Sequence, residues 1–239
     1  MAFSKYNSSL TLEALQNKPE GQYLERKGRD TKPAKIANEL IGMLNANGGT
    51  LVFGISDAGV VEDLLQLPER KLNDTRRIVH DLIEPPTCID IEEVFLKDGS
   101  LIFLFHVNPN YEKRFQRKKS EDVFLRIADS NKGPLTRDEV TNLDYNKDIR
   151  RFADEVCADF STKDLDTTLC DEYRKSMKYK DSFKQLAIKR NLAVKRNGKV
   201  FYKNGGVLLF AKDPCQYIAN ASVRYVRYNG KKQLSGSSI

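Results

Sequence analysis

Apolar residues recur along the chain with two periods. Ile36, Leu40, Ile41 and Leu44 fall at helical spacing behind Pro33, which predicts a core-facing helix ending near Ala46 at Asn47-Gly48-Gly49. Thr50–Ile55 follows as an uninterrupted β-prone run, the pattern of a strand covered on both faces. Leu10–Gln16 predicts a short amphipathic helix broken by Pro19, and Gln22–Lys27 a strand. A helix is expected over Pro68–Ile83, its apolar side marked by Leu72, Ile78, Val79 and Leu82 and its end by Pro85-Pro86. Ile89–Leu96 and Leu101–Val107, joined by Asp98-Gly99, read as a hairpin, and Val123–Ile127 as a further strand. Thr136-Arg-Asp-Glu139 has capping-box spacing and opens a short helix.

Ile149, Phe152 and Val156 suggest a charged helix bridging two parts. Beyond it, Leu169–Met177 and Ser182–Lys189 read as helices and Leu192–Lys203 as a hairpin turning at Asn197-Gly198. Gly205–Ala211 reads as a helix and Ala221–Tyr228 as a strand. The expected class is α+β: a mixed sheet with flanking helices, then a smaller helical, winged-helix-like part. The expected divisions are 1–142, a helical linker 143–164, a part 165–230 with its hairpin, and a Ser/Gly-rich tail 231–239. Helix, helix and two-stranded wing is the order of a winged helix-turn-helix, and small α+β lids share it.

Charge narrows the class. Forty Lys and Arg against 33 Asp and Glu give a net +7, which favours polyanion partners, chiefly nucleic acid. With 40% hydrophobic and 31% charged residues the chain reads as globular rather than disordered. No window approaches a membrane span, and the first residues lack a signal-peptide core. Cys88, Cys157, Cys170 and Cys215 are scattered without a Cys-x-x-Cys, and His80 and His106 are the only histidines. A disulfide framework or zinc site is not expected, and the reducing cytoplasm is the default compartment.

Glu20-Gly-Gln-Tyr-Leu-Glu25-Arg-Lys27 places two carboxylates and a lysine at the entry of the first strand, and Asp57 ends the glycine-flanked one. Three such acids could hold Mg or Mn, hard ions that take carboxylate oxygens, with Lys27 on a phosphate. Residues five apart on a regular strand point to opposite faces, so Glu20 and Glu25 converge only if Gly21 breaks the register. The competing reading is a solvated Glu/Lys strand face and an ordinary Asp-x-Gly turn. Lys113, Arg114, Arg117, Lys118 and Lys119 surround Phe115, with Tyr111 nearby, and Arg126 lies on the next strand. These would bind phosphates, with the aromatics stacking on bases; the competing reading is a solvated loop. Gly48-Gly49 reads as a helix cap, since no Gly-Lys-Ser/Thr follows. Both histidines read as structural.

Three pieces in order resemble the AlbA-like domain of Schlafen-type proteins. They are Glu20 to Lys27, the Ile36–Leu44 helix, and Asn47-Gly48-Gly49-Thr50 through Gly54-Ile55-Ser56-Asp57-Ala58-Gly59. Val123-Phe-Leu-Arg126-Ile before a Ser-Asn loop completes a match over roughly Pro19–Thr141. In animal Schlafens a three-carboxylate site in this domain cleaves transfer and ribosomal RNA with divalent metal. Carried over by motif, the three are Glu20, Glu25 and Asp57, and their zinc site has no evident counterpart. Gly205-Gly-Val-Leu-Leu-Phe-Ala-Lys-Asp-Pro214 and Val223-Arg-Tyr-Val-Arg-Tyr-Asn-Gly230 resemble microbial members described as predicted transcriptional regulators or ATP-binding proteins. The resemblance therefore implies a nucleic-acid binder, either a metal-dependent endoribonuclease or a non-catalytic DNA-binding regulator. It also implies an ATPase-like domain following in a longer chain, and pairing into a homodimer.

Overall fold

A computed structural model of the chain describes Ser4, residues 10–223 and Tyr225. The chain divides into two compact units, Met1–Arg150 and Arg151–Ile239.

In the first unit the helical period at Ile36–Leu44 becomes α2, Pro33–Asn45, following α1 (Leu12–Asn17) and β1 (Leu24–Lys27). Pro33 sits in the first turn of α2, where its missing N–H costs nothing. The turn after the helix passes through Gly48 and Gly49, at φ +72° and +143°, into β2, Gly49–Phe53. A Cβ at Gly49 would meet the backbone of Tyr23 at 2.9 Å, so this close approach requires glycine.

The helix expected over Pro68–Ile83 is instead two, α3 (Glu69–Arg76) and α4 (Ile78–Leu82), parted at Arg77. The Thr75 hydroxyl donates to the Lys71 carbonyl at 2.9 Å, a back-bond that bends helices. Ile83 then leaves the helix for a two-residue strand, β3 (Ile83–Glu84). The hairpin forms as β4 (Asp90–Phe95) and β5 (Leu101–Val107). Next come β6 (Gln116–Arg117), β7 (Leu125–Ile127), β8 (Ser130–Lys132) and α5 (Arg137–Asn146). The capping box of Thr136 and Glu139 opens α5.

The main sheet is mixed, in the order β1-β2-β5-β4, with β1 parallel to β2 and the remaining neighbours antiparallel. Its two faces are buried separately. Leu51, Phe53, Phe103 and Phe105 pack with Ile36, Leu40 and Leu44 of α2; Val52, Ile102 and Leu104 pack with Leu15 of α1. The β2 run is apolar throughout because both sides are covered.

Two side chains tie the C-terminal end of α2 to the chain that follows the sheet. The buried Asn45 amide donates to the carbonyls of Phe115 and Phe124 at 2.8 and 2.9 Å and accepts from the Phe115 N–H at 2.8 Å. The Lys147 ammonium donates to the carbonyls of Leu44, Asn110 and Lys113, a cation at the negative end of a helix.

In the second unit α6 (Thr167–Ser176), α7 (Phe183–Lys189), β9 (Ala193–Arg196), β10 (Lys199–Tyr202) and α8 (Asn204–Phe210) surround a core of their own. Helix, helix and hairpin come in the expected order. The bridging helix does not form. Its residues hold only a short 3-10 turn at Phe152–Asp154, because at Asp148 (φ +55°) the chain folds back and the N–H groups of Ile149 and Arg150 return to the Asp144 carbonyl. Of the strand expected over Ala221–Tyr228, Ala221–Val223 and Tyr225 have no regular structure. Its remaining residues and the tail 231–239 lie outside the described residues. Among the described residues no helix is long and apolar enough to cross a membrane, and all four cysteines are free.

Burial pushes the Lys147 pKa down to about 8 from its ordinary value of 10.5. Between those two values the unfolded chain holds a proton that the folded chain has lost, so stability rises with pH there. Urea titrations of wild type and Lys147→Met should therefore diverge above pH 8, by up to about 1.4 kcal/mol per pH unit. A constant difference from pH 7 to 10 would contradict the burial of a charged Lys147.

Candidate functional site

All four residues of β1 are buried, and three of them are charged. Its parallel pairing sets Glu25 beside Leu51 and Lys27 beside Phe53, so both face α2. Leu24 and Arg26 face the other way. Arg26 donates to the carbonyls of Leu15 and Lys18 at 2.7 and 2.8 Å, closing the C-terminal end of α1.

On the α2 side four charges meet. Glu25 is ion-paired with Lys27 and, at 2.6 Å, with Arg126 of β7. Glu39 of α2 lies 3.6 Å from Lys27 and 3.5 Å from Arg126. The Arg126 guanidinium also donates to the Gly21 carbonyl at 2.7 and 2.9 Å and to the Leu24 carbonyl at 3.2 Å. Its side chain has no exposed surface, and burial pushes its pKa down against the carboxylates of Glu39 and Glu20. Arg126 thus joins β1, α2 and β7 at one point. The expectation that it reaches a nucleic acid is corrected: a fully covered guanidinium cannot reach a phosphate.

The three expected metal ligands have different surroundings. Glu20 precedes β1, and its side chain folds back along the strand so that one carboxylate oxygen accepts the Arg26 N–H at 2.7 Å. Asp57 is exposed in the turn beyond the exit of β2. Among the described residues no group of three or more His, Cys, Asp or Glu side chains could hold a metal ion. Glu25 is ion-paired with Lys27 and Arg126, and it would have to give these up to take Mg or Mn.

The basic loop divides by exposure. Lys113, Lys118 and Lys119 are exposed. Arg114 is instead paired with Asp144 at 2.5 Å, and Arg117 is half-buried with its pKa lowered by burial. Phe115 is fully buried in the core and cannot stack on a base, whereas Tyr111 is 62% exposed. His106 lies 3.0 Å from the Glu92 oxygen that also accepts the Ser4 hydroxyl at 2.6 Å, and His80 lies 2.7 Å from Asp81. Glu39 was not singled out from the sequence. Its signal was a carboxylate on the buried stripe of α2, three residues after Ile36 and one before Leu40.

Buried charges on a sheet edge under one long helix, with a basic loop beside them, define a mixed α/β domain with a charged centre. Residues 20–135 match the family model described as Schlafen, AlbA_2, and the chain carries a domain of that family. Among solved structures the chain is similar to the DIP2311 protein from Corynebacterium diphtheriae, with 19% identity and a TM-score of 0.39. That match covers 79% of this chain and 39% of the other, so the chain spans well under half the length of that protein. A comparison with curated proteins found no match.

Removing Arg126 would leave Glu25 and Glu39 in the core short of a cation. Arg126→Met should cost about 3–5 kcal/mol of unfolding free energy, the usual result of breaking a buried pair from one side. A loss below about 1 kcal/mol in urea titration would mean that Arg126 is not the tie described.

Proposed function

We propose that the chain is a nucleic-acid-binding protein whose first unit contacts phosphates through Lys113, Lys118 and Lys119. The Schlafen AlbA_2 match over residues 20–135 carries this reading. Three exposed lysines within seven residues, in a chain of net charge +7, support it. Contacts of this kind give affinity without reading sequence.

Cleavage is the finer reading, a Mg- or Mn-dependent endoribonuclease on structured RNA such as tRNA, using Glu20, Glu25, Asp57 and Lys27. It requires Glu25 to leave Lys27 and Arg126, and Glu20 and Asp57 to join it around one ion. Binding therefore stands ahead of it. A non-catalytic DNA-binding regulator, continuing into an ATPase-like domain and pairing as a homodimer, is the second reading. The helix, helix and hairpin order of the second unit favours it.

Fluorescence anisotropy of the full chain on labelled tRNA and on duplex DNA, against salt, tests the proposal. Replacing Lys113, Lys118 and Lys119 by Ser should lower the slope of log K against log salt by about 2–3, near 0.7–0.9 per phosphate contact. An unchanged slope for both nucleic acids would overturn it. In the same samples tRNA should stay intact with manganese, and Glu25-dependent cutting would reverse the order of the two readings.

A further inference from the structure

The charge of this protein is not spread evenly. Between Arg174 and Lys199 there are ten Lys and Arg side chains and one acid, Asp181. That segment alone carries +9, so everything else together is slightly acidic against the +7 of the whole. It comprises the end of α6, the turn after it, α7, β9 and the first residue of β10.

We propose that this segment is a second binding surface, for the phosphate backbone of double-stranded DNA, formed by the outer face of α7 and the β9–β10 hairpin. Leu186 and Ala187 of α7 are buried, which turns Lys184, Gln185 and Lys189 outward. Lys189 lies over the Tyr179 ring at 5.5 Å, which holds its ammonium at the helix surface.

The hairpin gives the second observation. In its register Arg196 faces Lys199, the last pair before the turn. Both are exposed, and among the described residues neither has an acidic partner. Like charges directly opposed across an antiparallel pair destabilise it. The turn between them, Asn197 and Gly198 at φ +48° and +77°, has the positive φ values of a tight hairpin turn, so the repulsion is built into a short connection. A solvated helical face normally alternates charge sign, and this one does not. A bound anion removes the repulsion. A helix and a two-stranded ribbon are the two elements that a duplex major groove admits, and here they adjoin in one unit.

The surface is independent of Lys113, Lys118 and Lys119, so the two can be tested apart in the full chain. Salt-dependent anisotropy on a labelled 20-base-pair DNA would compare wild type, Lys184/Lys189/Arg196/Lys199→Ser, and Lys113/Lys118/Lys119→Ser. The second-unit variant should lose about 3–4 from the slope, near 0.9 per cation removed, and keep its circular dichroism. A wild-type slope in that variant, with loss only in the first-unit variant, overturns this inference and leaves the first-unit reading standing. Loss only in the second-unit variant supports it and removes the other. Equal loss on single-stranded DNA of the same length overturns the assignment to a duplex. Thermal unfolding adds a readout independent of any nucleic acid. Arg196→Ser should hold or raise the midpoint of the second unit, and a lowered midpoint would contradict the repulsion.

Discussion

The first unit depends on one buried guanidinium. Arg126 comes from β7, late in the domain, and meets a carboxylate from β1, a carboxylate from α2, and the carbonyls of Gly21 and Leu24. Taking a charge out of water costs several kcal/mol, which only pairing and hydrogen bonds recover. Once it is there, its ion pairs tie β1, α2 and β7 together, although Glu25 Oε2, Glu39 Oε2 and Arg126 Nη1 are left without an aligned hydrogen bond. Lys27 completes the neutrality from the other side, so two acids and two bases share the space under α2.

This changes what the acids on β1 can do. A carboxylate is free to take a metal when water or other acids surround it, and here the chain supplies the cations itself. Of the remaining two acids, Glu20 accepts the Arg26 N–H and Asp57 stands in an exposed turn. What a partner can reach is the exposed lysine set of the loop and, in the second unit, the helix and hairpin. On the proposed reading the protein holds polyanions by surface charge, while Glu25 and Glu39 pair with cations of the chain itself.

Much of the architecture was legible because hydrophobic period is a local signal. α2, β2 and the two hairpins at Asp98-Gly99 and Asn197-Gly198 follow from spacing and turn chemistry alone. The break at Arg77 was not, because the pull of Ile83 into a strand is set by Arg117, which pairs with it from later in the chain. Long-range pairing was the larger gap. Spacing put Glu25 and Lys27 on one face, yet nothing near them in the chain says that Arg126, from much later, pairs with the Glu25 carboxylate. Exposure was misread at two positions for a related reason. Phe115 and Arg126 look like binding residues beside other cations, and only the packing of α2 shows them as interior. Glu39 was overlooked although a carboxylate on a buried stripe is itself a sign that a cation lies opposite.

Manganese binding to the full chain, followed by loss of the free-ion electron paramagnetic resonance signal, tests this most directly. With Glu25 and Glu39 ion-paired to Arg126 and Lys27, titration at millimolar metal should show no stoichiometric site, in wild type or in Glu25→Gln. One tight equivalent in wild type that disappears in Glu25→Gln would contradict the account.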